Sequence, residues 1–484
     1  MIESYLLKNI SGYIDGQWVD ADSGRTVEVL NPANGKTLAE IPYMAADETA
    51  RAIAAAKAAL PSMPDVATRR EWLEDTRDAL IAEKEEIGRI LCLEHGKPWK
   101  EAQGEVEYAA SFFDYFAKSM EDGLAPEELA DKVKDCTWTV YKRAIGVAGL
   151  ITPWNFPIGM IAKKIAPAIA AGCPVVIKPA TETPLTMIAM FQIMHDRLDL
   201  PKGVINLVMG SSKEIGGELM SSPDVPMISF TGSTGVGQLL IEQSRQHVKK
   251  LGLELGGNAP FIVLDDADLD SAADNLIANK FRGCGQTCVC ANRIFVHSNV
   301  YKEFTDKVVE KVKALKVGDG MDEDVDIGPL VNAAGFDKVH DHVKDALSKG
   351  ATLVAGKHPD ELDSDKNLFY PPTVITDVTH DMLCCQEETF GPLIPMIAFD
   401  TDEQAVQQGN DTEFGLASYV FGKDAKRAHK IIAQLHFGHC GYNTATGPAA
   451  HAPFGGMLHS GIGREGGHDG LLEYVELQTV PDGS

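Results

Sequence analysis

Residues 47–63 (DETARAIAAAKAALPSM) and 65–98 carry apolar side chains at helical spacing with charges on the opposite face, which predicts amphipathic helices lying on a core. From about residue 145 the period changes. The runs GVAGLITP, PVVIKPA, GVINLVMG and PMISFTGS are short and apolar, and helix-like stretches separate them. That is the βαβ spacing of a parallel sheet covered on both faces, an architecture that binds nucleotides. A second alternating region opens near Gly256, with strand-like APFIVLDD, RIFVHS and LIPMIAF and helical spans at 267–282, 300–315 and 333–349. Segment 126–144 ends in β-prone residues, as does the C-terminal VELQTV. Two such strands leaving a globular body predict an arm at which subunits join.

A chain of 484 residues exceeds one ordinary hydrophobic core, so two or three substructures are expected. Its 44 basic and 70 acidic side chains leave a formal charge of −26, which repels nucleic acid and anionic lipid. The longest apolar region, around 145–178, is interrupted by Pro153, Pro157, Lys163, Lys164, Pro167 and Pro174 and does not read as a membrane span. The N-terminus lacks a basic start followed by a long apolar core, so no secretory signal is read. Nine cysteines, an odd number at low density, point to a reducing compartment, and a cytoplasmic protein is expected.

Chemistry concentrates in 282-RGCGQTCVCANR-293, where Cys284, Cys288 and Cys290 fall within seven residues. A zinc site wants four ligands, commonly in pairs, and no histidine follows until His297, so no metal is expected. A Cys288–Cys290 disulfide is strained in extended backbone and stands only as a reversible oxidised state. The remaining reading is a nucleophile with partners elsewhere. Asn155, in 151-ITPWNFP-157, follows a predicted strand and supplies a fixed amide donor. Glu254, in 253-LELGGNAP-260, precedes two glycines that admit close neighbours and is a candidate general base. In 230-FTGSTGVGQLL-240, a glycine turn opens a helix whose free N–H groups suit a pyrophosphate. Each motif alone is weak.

In order, PWNFP, KPATETP, FTGSTGVG, ELGGNAP, GQTCVCANR, EETFGP and PFGG…SGIGREGG resemble the aldehyde dehydrogenase superfamily across essentially the whole chain, and KFRGCGQTCVCANR is most similar to its succinate-semialdehyde branch. The resemblance implies an α/β fold with three parts. These are a Rossmann-type NAD(P)-binding domain of residues 1–125 and 145–255, a catalytic domain of 256–459, and a β oligomerisation arm of 126–144 and 475–484 in a homodimer or homotetramer. It makes Cys288 the nucleophile, Cys290 its companion and Cys284 a packing residue. Asn155 and the Cys288 N–H then hold the oxyanion, and Glu254 activates the water that hydrolyses a thioester. Arg282 and a helix N-terminus are candidates for favouring the thiolate. For the cofactor, NAD or NADP, it implies Thr152 and Trp154, Lys178 at the adenine ribose, Gly232 and Ser233 at the pyrophosphate, and Glu388 and Phe390 at the nicotinamide end. NAD-restricted members often carry a glutamate where this chain has Thr181. Without that charge a 2′-phosphate is not repelled, so both cofactors are admissible.

The substrate implied is a short aldehyde with a terminal anion. Succinate semialdehyde comes first, and glutarate semialdehyde or sulfolactaldehyde are the alternatives. Arg282 matches the branch's first anion-binding arginine, but the second is replaced by Lys163, and Pro448 stands where a serine is expected. Lysine is a point charge rather than a two-pronged donor, so that exchange is not neutral. Phe156 lines the same pocket, and His451 is a further donor candidate. An enzyme that passes the acyl group to CoA is disfavoured by Glu254. A catalytically inactive binding protein on this fold is disfavoured by the retained Cys288, Asn155, Glu254, Lys178 and Glu388.

Overall fold

The computed structural model describes residues 2–130 and 136–483, so positions 131–135 and 484 of the predicted arm lie outside the described residues. Five parallel strands form the centre of the first sheet: β1 (Ala148–Ile151), β2 (Val175–Lys178), β3 (Ile205–Leu207), β4 (Met227–Thr231) and β5 (Lys250–Glu254). They lie in the order β3-β2-β1-β4-β5. An N-terminal hairpin, Gly12–Ile14 with Gln17–Val19, extends one edge, and Gly461–Ile462 pairs antiparallel with β5 at the other. The strands of β1, β2 and β3 are buried throughout, apart from Ile151, which is why they read as continuous apolar runs rather than alternating ones.

The second sheet contains β6 (Ala259–Val263), β7 (Ala291–His297), β8 (Thr352–Ala355), β9 (Thr373–Thr376), β10 (Leu393–Phe399), β11 (Ala417–Phe421) and β12 (His439–Tyr442), in the order β8-β9-β10-β7-β6-β11-β12. Only β8 runs antiparallel to its neighbour. Each sheet has its own hydrophobic core. One gathers Ile161, Ile165, Phe113 and Phe116 beneath the first sheet, and the other gathers Phe261, Phe295, Val339 and Tyr419 around the second.

Helices appear at Leu269–Phe281, Tyr301–Ala314 and Ala333–Ser348, within two residues of their predicted spans. The predicted helix over 65–98 is instead two, Val66–Ala82 and Lys84–His95, with a break at Glu83 that the periodicity does not mark. A further helix, α1 (Trp99–Leu124), begins directly after Pro98. Proline there starts the helix rather than ending the previous one, since no N–H is required at that point. Ala102, Val106, Ala109, Phe113, Phe116 and Met120 form its buried stripe at the 3–4 spacing of an amphipathic helix.

Between β1 and β2 runs α2 (Pro157–Ala171), in which every residue is buried, Lys163 and Lys164 included. It opens on Pro157, whose fixed φ suits a first helical turn, and closes on Gly172 at φ 88°, the left-handed conformation of a helix stop. The two arm strands pair with each other: Val475–Asp482 lies antiparallel to Thr137–Ala144, from Val475 opposite Ala144 to Asp482 opposite Thr137. Glu127–Glu128 flanks Thr137–Ala144 on its other side, so that among the described residues Val475–Asp482 is the other outer strand of this sheet. Among the described residues no helix is long and apolar enough to cross a membrane.

Candidate active site

The carboxyl ends of the first sheet's strands meet the amino ends of the second's. Parallel pairing puts Ile151 beside Lys178 and Phe230, and Thr231 beside Glu254. The turns after these strands therefore share one edge, where ligands of open α/β sheets collect. Facing them, Gly257, Cys288 and Glu388 lie a few residues ahead of β6, β7 and β10. A cleft of about 240 Å³ is bounded on one side by Trp154, Asn155, Thr231 and Ser233 and on the other by Cys288, Glu388 and Phe390. The two glycines after Glu254 make this approach possible. A Cβ at Gly257 would sit 2.4 Å from the Cys288 carbonyl oxygen, and one at Gly256 would sit 2.9 Å from a Glu388 carboxylate oxygen. The Gly257 N–H donates to Glu388 Oε1 at 2.8 Å.

The loop carrying Cys288 is fixed from several sides. Gly283, Cys284 and Gly285 have φ of 57°, 60° and 75°, a tight left-handed passage that turns Cys284 into the second core. Gln286 anchors the next step, donating from Nε2 to the Gly283 carbonyl at 2.9 Å and accepting from the Val331 N–H at 3.0 Å. Asn155 Nδ2 donates to the Gln286 carbonyl at 2.9 Å, which joins the PWNFP turn to the cysteine loop. Asn155 Oδ1 is buried without a partner. The Cys288 backbone N–H has no protein acceptor among the described residues, so one amide hydrogen of Asn155 and this N–H remain for a ligand oxygen.

Burial pushes the Cys288 thiol up to about 12, with Glu388 and Glu254 adding to the rise and Lys163 and Arg282 opposing it. The chain passes from Cys288 through a turn into β7. No helix begins at the nucleophile, and that part of the sequence expectation is corrected. Cys290 is fully buried and its thiol donates to the Lys280 carbonyl at 3.6 Å.

Glu254 is 5% exposed, and neither carboxyl oxygen has a hydrogen-bond partner. Burial and the nearby Glu465 raise its pKa well above the carboxylate range, against the opposing pull of Lys163, Lys164 and Arg464. A Cβ at Gly455 would lie 2.8 Å from Glu254 Oε1, so the glycine of PFGG leaves room for this carboxyl.

Lys163 is where the structure departs most from the sequence expectation. Its Nζ lies 2.8 Å from Glu465 Oε2 and 4.8 Å from the centre of the Phe454 ring, while Lys164 Nζ lies 2.6 Å from Glu465 Oε1 and 2.9 Å from Ser229 Oγ. Burial works against the charge on Lys163, but Glu465 outweighs it and lifts the ammonium above the usual lysine range. Burial likewise opposes the charge on Glu465, yet the two lysines hold it at about 2. The Lys163 charge is thus already paired, and the picture of Lys163 as an open anion clamp is corrected.

Arg282 differs: no carboxylate forms an ion pair with it among the described residues. Its guanidinium stacks over Phe156 at 4.7 Å, while Lys97 Nζ lies over the same ring at 4.1 Å. A second cavity, about 460 Å³, is lined by Arg282, Phe156, Tyr108, Glu101 and the loop Thr446–Ala449, Pro448 included. His451 is exposed and lies outside the lining of both cavities. Residues absent from the sequence reading support this wall. Lys97 pairs with Glu105 and donates to the Asn155 carbonyl at 2.9 Å, and Glu105 Oε1 accepts from the N–H groups of Ile158 and Gly159 at the start of α2. Glu101 accepts from the Gly283 N–H at 2.7 Å. The only signal for them was the charged cluster 97-KPWKEAQGE-105, and a charge cluster is usually a solvated face.

The cofactor side fits a dinucleotide. Lys178 is buried at the end of β2 with one protein acceptor, the Pro179 carbonyl at 2.9 Å, and burial lowers its ammonium to about 8 against the pull of Glu182. The Thr152 N–H donates to the Lys178 carbonyl, which ties those two turns together. Thr181 is half-buried three residues on. Beyond β4, Ser233 caps α3 (Thr234–Gln243), accepting from the Val236 N–H at 3.4 Å, and Gly232 lines the cleft. The buried Thr231 Oγ1 has no partner. Trp154 stacks edge-on with Phe390, ring centres 5.9 Å apart. Among the described residues no group of three or more histidine, cysteine or acidic side chains is placed to hold a metal.

A thiol, two N–H donors without protein acceptors among the described residues and a buried carboxyl, gathered beside a cleft that fits a dinucleotide, suit a thiol-dependent oxidoreductase. Residues 18–480 match the model of the aldehyde dehydrogenase family, and the chain belongs to that family. It is 44% identical over 477 residues to a glutarate-semialdehyde dehydrogenase of Pseudomonas aeruginosa, covering 97% of this chain and 96% of that one. Identity is also 44% to an NADP(+) succinate-semialdehyde dehydrogenase of Escherichia coli, covering 96% of each chain, and to a 3-sulfolactaldehyde dehydrogenase of Pseudomonas putida, covering 98% of this chain and 97% of the relative. A crystal structure of an oxidoreductase from Marinobacter aquaeolei superposes with a TM-score of 0.98 at 61% identity, covering 100% of both chains.

A thiol held up to about 12 is protonated at neutral pH in the free enzyme. Inactivation of the cofactor-free protein by iodoacetamide should therefore accelerate about tenfold per pH unit from about 7 to about 9 without levelling off. A plateau below about pH 9 would show that Cys288 already carries its charge.

Proposed function

We propose that the protein oxidises a short aldehyde with a terminal anion to the corresponding acid, using NAD or NADP, with succinate semialdehyde the first candidate. The observation that carries this reading is Arg282, a guanidinium without a carboxylate partner in the wall of the second cavity. The named activities of the relatives support it, since glutarate semialdehyde, succinate semialdehyde and 3-sulfolactaldehyde all place an anion a few bonds from the aldehyde. With Lys163 already paired, Arg282 is a cation without a salt-bridge partner among the described residues, which suits carboxylate and sulfonate alike.

Cys288 Sγ forms a bond to the carbonyl carbon as the thiol's proton passes to solvent water and the carbonyl π pair moves onto the oxygen. Asn155 Nδ2 and the Cys288 N–H donate to the oxygen that takes up the negative charge. Lys178, Thr152, Trp154, Gly232, Ser233, Glu388 and Phe390 would hold NAD or NADP, which would supply the acceptor for the hydride of this carbon, and Thr181 puts no carboxylate at that position against either cofactor. The carbonyl re-forms as a thioester on Cys288. Glu254 then takes a proton from water as the water oxygen attacks the thioester carbon, and the C–S bond breaks to return the cysteine. Burial makes Glu254 a stronger base than an ordinary carboxylate once deprotonated, and Lys163, Lys164 and Arg464 keep that anion accessible.

The division into a cofactor domain (1–125 and 145–255), a catalytic domain (256–459) and an arm (126–144 and 475–484) is proposed on the two sheets, their separate cores and the paired edge strands. The arm is proposed to join copies of the chain, because its outer strand Val475–Asp482 carries Leu477 64% exposed. A cytoplasmic location is proposed because the chemistry needs Cys288 as a thiol.

Arg282→Ala should lower kcat/KM for succinate semialdehyde about 30-fold or more, the loss of roughly 2–5 kcal/mol for a buried charge pair, and should change it far less for butanal. Similar losses on both would mean that Arg282 supports the cysteine loop instead. Glu254→Gln should release one equivalent of reduced cofactor in a burst and then stall as thioester accumulates. Absence of the burst in rapid mixing would make Glu254 necessary for the first half-reaction as well. Leu477→Asp should shift the sedimentation coefficient toward a smaller species, and an unchanged value would remove the arm from assembly.

A further inference from the structure

The wall of the second cavity holds a polar group that the proposed chemistry leaves idle. Tyr108, on α1, lines this cavity with Arg282 and Phe156, and its phenol oxygen is buried without a hydrogen-bond partner. Its ring is held in place. Phe112 meets it edge-on, centres 5.0 Å apart, and on the α2 side a Cβ at Gly159 would come within 3.0 Å of Tyr108 Cδ1. The absence of a side chain at 159 is what allows the ring to lie there. A buried hydroxyl without a partner is disfavoured in folded proteins and commonly marks a place where a ligand completes the bonding.

Most of the other polar groups nearby are spent, while Glu101, which accepts from the Gly283 N–H, also lines the cavity and feels the Arg282 charge. Lys163 is engaged by Glu465, and Lys97 by Glu105 and the Asn155 carbonyl. Glu105 is filled by Lys97 and two backbone N–H groups. Lys163 and Arg282 pull the Tyr108 phenol's pKa down while Glu465 and Cys288 push it up, with burial the largest influence. The phenol therefore stands within electrostatic reach of both the nucleophile and the free guanidinium.

We propose that Tyr108 is a specificity-determining residue whose phenol O–H donates to the distal anionic group of the aldehyde. This rests on the reading that Arg282 pairs with that group. The two together replace a pair of cations by one cation and one neutral donor, approaching the anion from two segments of the chain, and so recognise a carboxylate or a sulfonate without needing Lys163.

The test uses the full-length enzyme with Tyr108→Phe, which keeps the ring and removes only the hydroxyl. The anionic substrate is whichever of succinate semialdehyde, glutarate semialdehyde and 3-sulfolactaldehyde the unaltered enzyme turns over best, and butanal is the uncharged control. Loss of one hydrogen bond to a charged group should cut kcat/KM for the anionic aldehyde by about tenfold or more, chiefly through KM, and leave butanal within about twofold. The acid product should inhibit the variant correspondingly less. Equal losses on both aldehydes, or no loss on either, would overturn the proposal. If Arg282→Ala discriminates between the two aldehydes and Tyr108→Phe does not, the Tyr108 assignment alone fails. If neither variant discriminates, the anion-pocket reading fails with it.

Discussion

The seam between the two sheets keeps Lys97, Glu105, Lys163, Lys164, Glu254 and Glu465 out of water, and the site depends on how those charges are balanced there. An isolated buried charge costs several kcal/mol, which only a well-placed opposite charge or hydrogen bond offsets. Glu465 answers two lysines, and Glu105 answers Lys97 and the first N–H groups of α2. Glu254 alone among these has no hydrogen-bond partner on either oxygen, and it is the group proposed to change protonation during turnover. Structural charges are tied down, and the charge free to change is left untied.

The same balance fixes geometry. Because Lys97 bridges Glu105 and the Asn155 carbonyl, the PWNFP turn is clamped to α1, and through Asn155 Nδ2 it is clamped to the carbonyl two residues ahead of the nucleophile. The proposed oxyanion donor Asn155 is thus held from both sides before any substrate arrives, an arrangement that makes such donors effective. Burial raises the pKa of the Cys288 thiol in the free protein. Lys163 and Arg282 oppose that rise, although Lys163 faces Glu465 and Arg282 lies against Phe156.

The strand and helix pattern, the parallel sheets and the motifs carrying Cys288, Asn155, Glu254 and Glu388 were legible in the sequence, because short apolar runs and glycine turns follow from local backbone and burial rules. Legible too was the need for glycine beside Glu254, where the structure shows the Cys288 carbonyl and the Glu388 carboxyl close against Gly257 and Gly256. Which lysine is free and which is paired was not. Lys163 and Lys164 are adjacent in a helix buried on all sides, and their partner Glu465 lies about three hundred residues away, a distance no local pattern spans. Lys97 and Glu105 read as a solvated helical face until α1 packs against α2, and Tyr108 reads as one more aromatic in YAASFF until its hydroxyl proves to have no partner. Local sequence settles which chemistry is present, because reactive groups sit in short motifs. Tertiary structure decides which charges that chemistry is free to use, because pairing is set by burial and by contacts between distant segments.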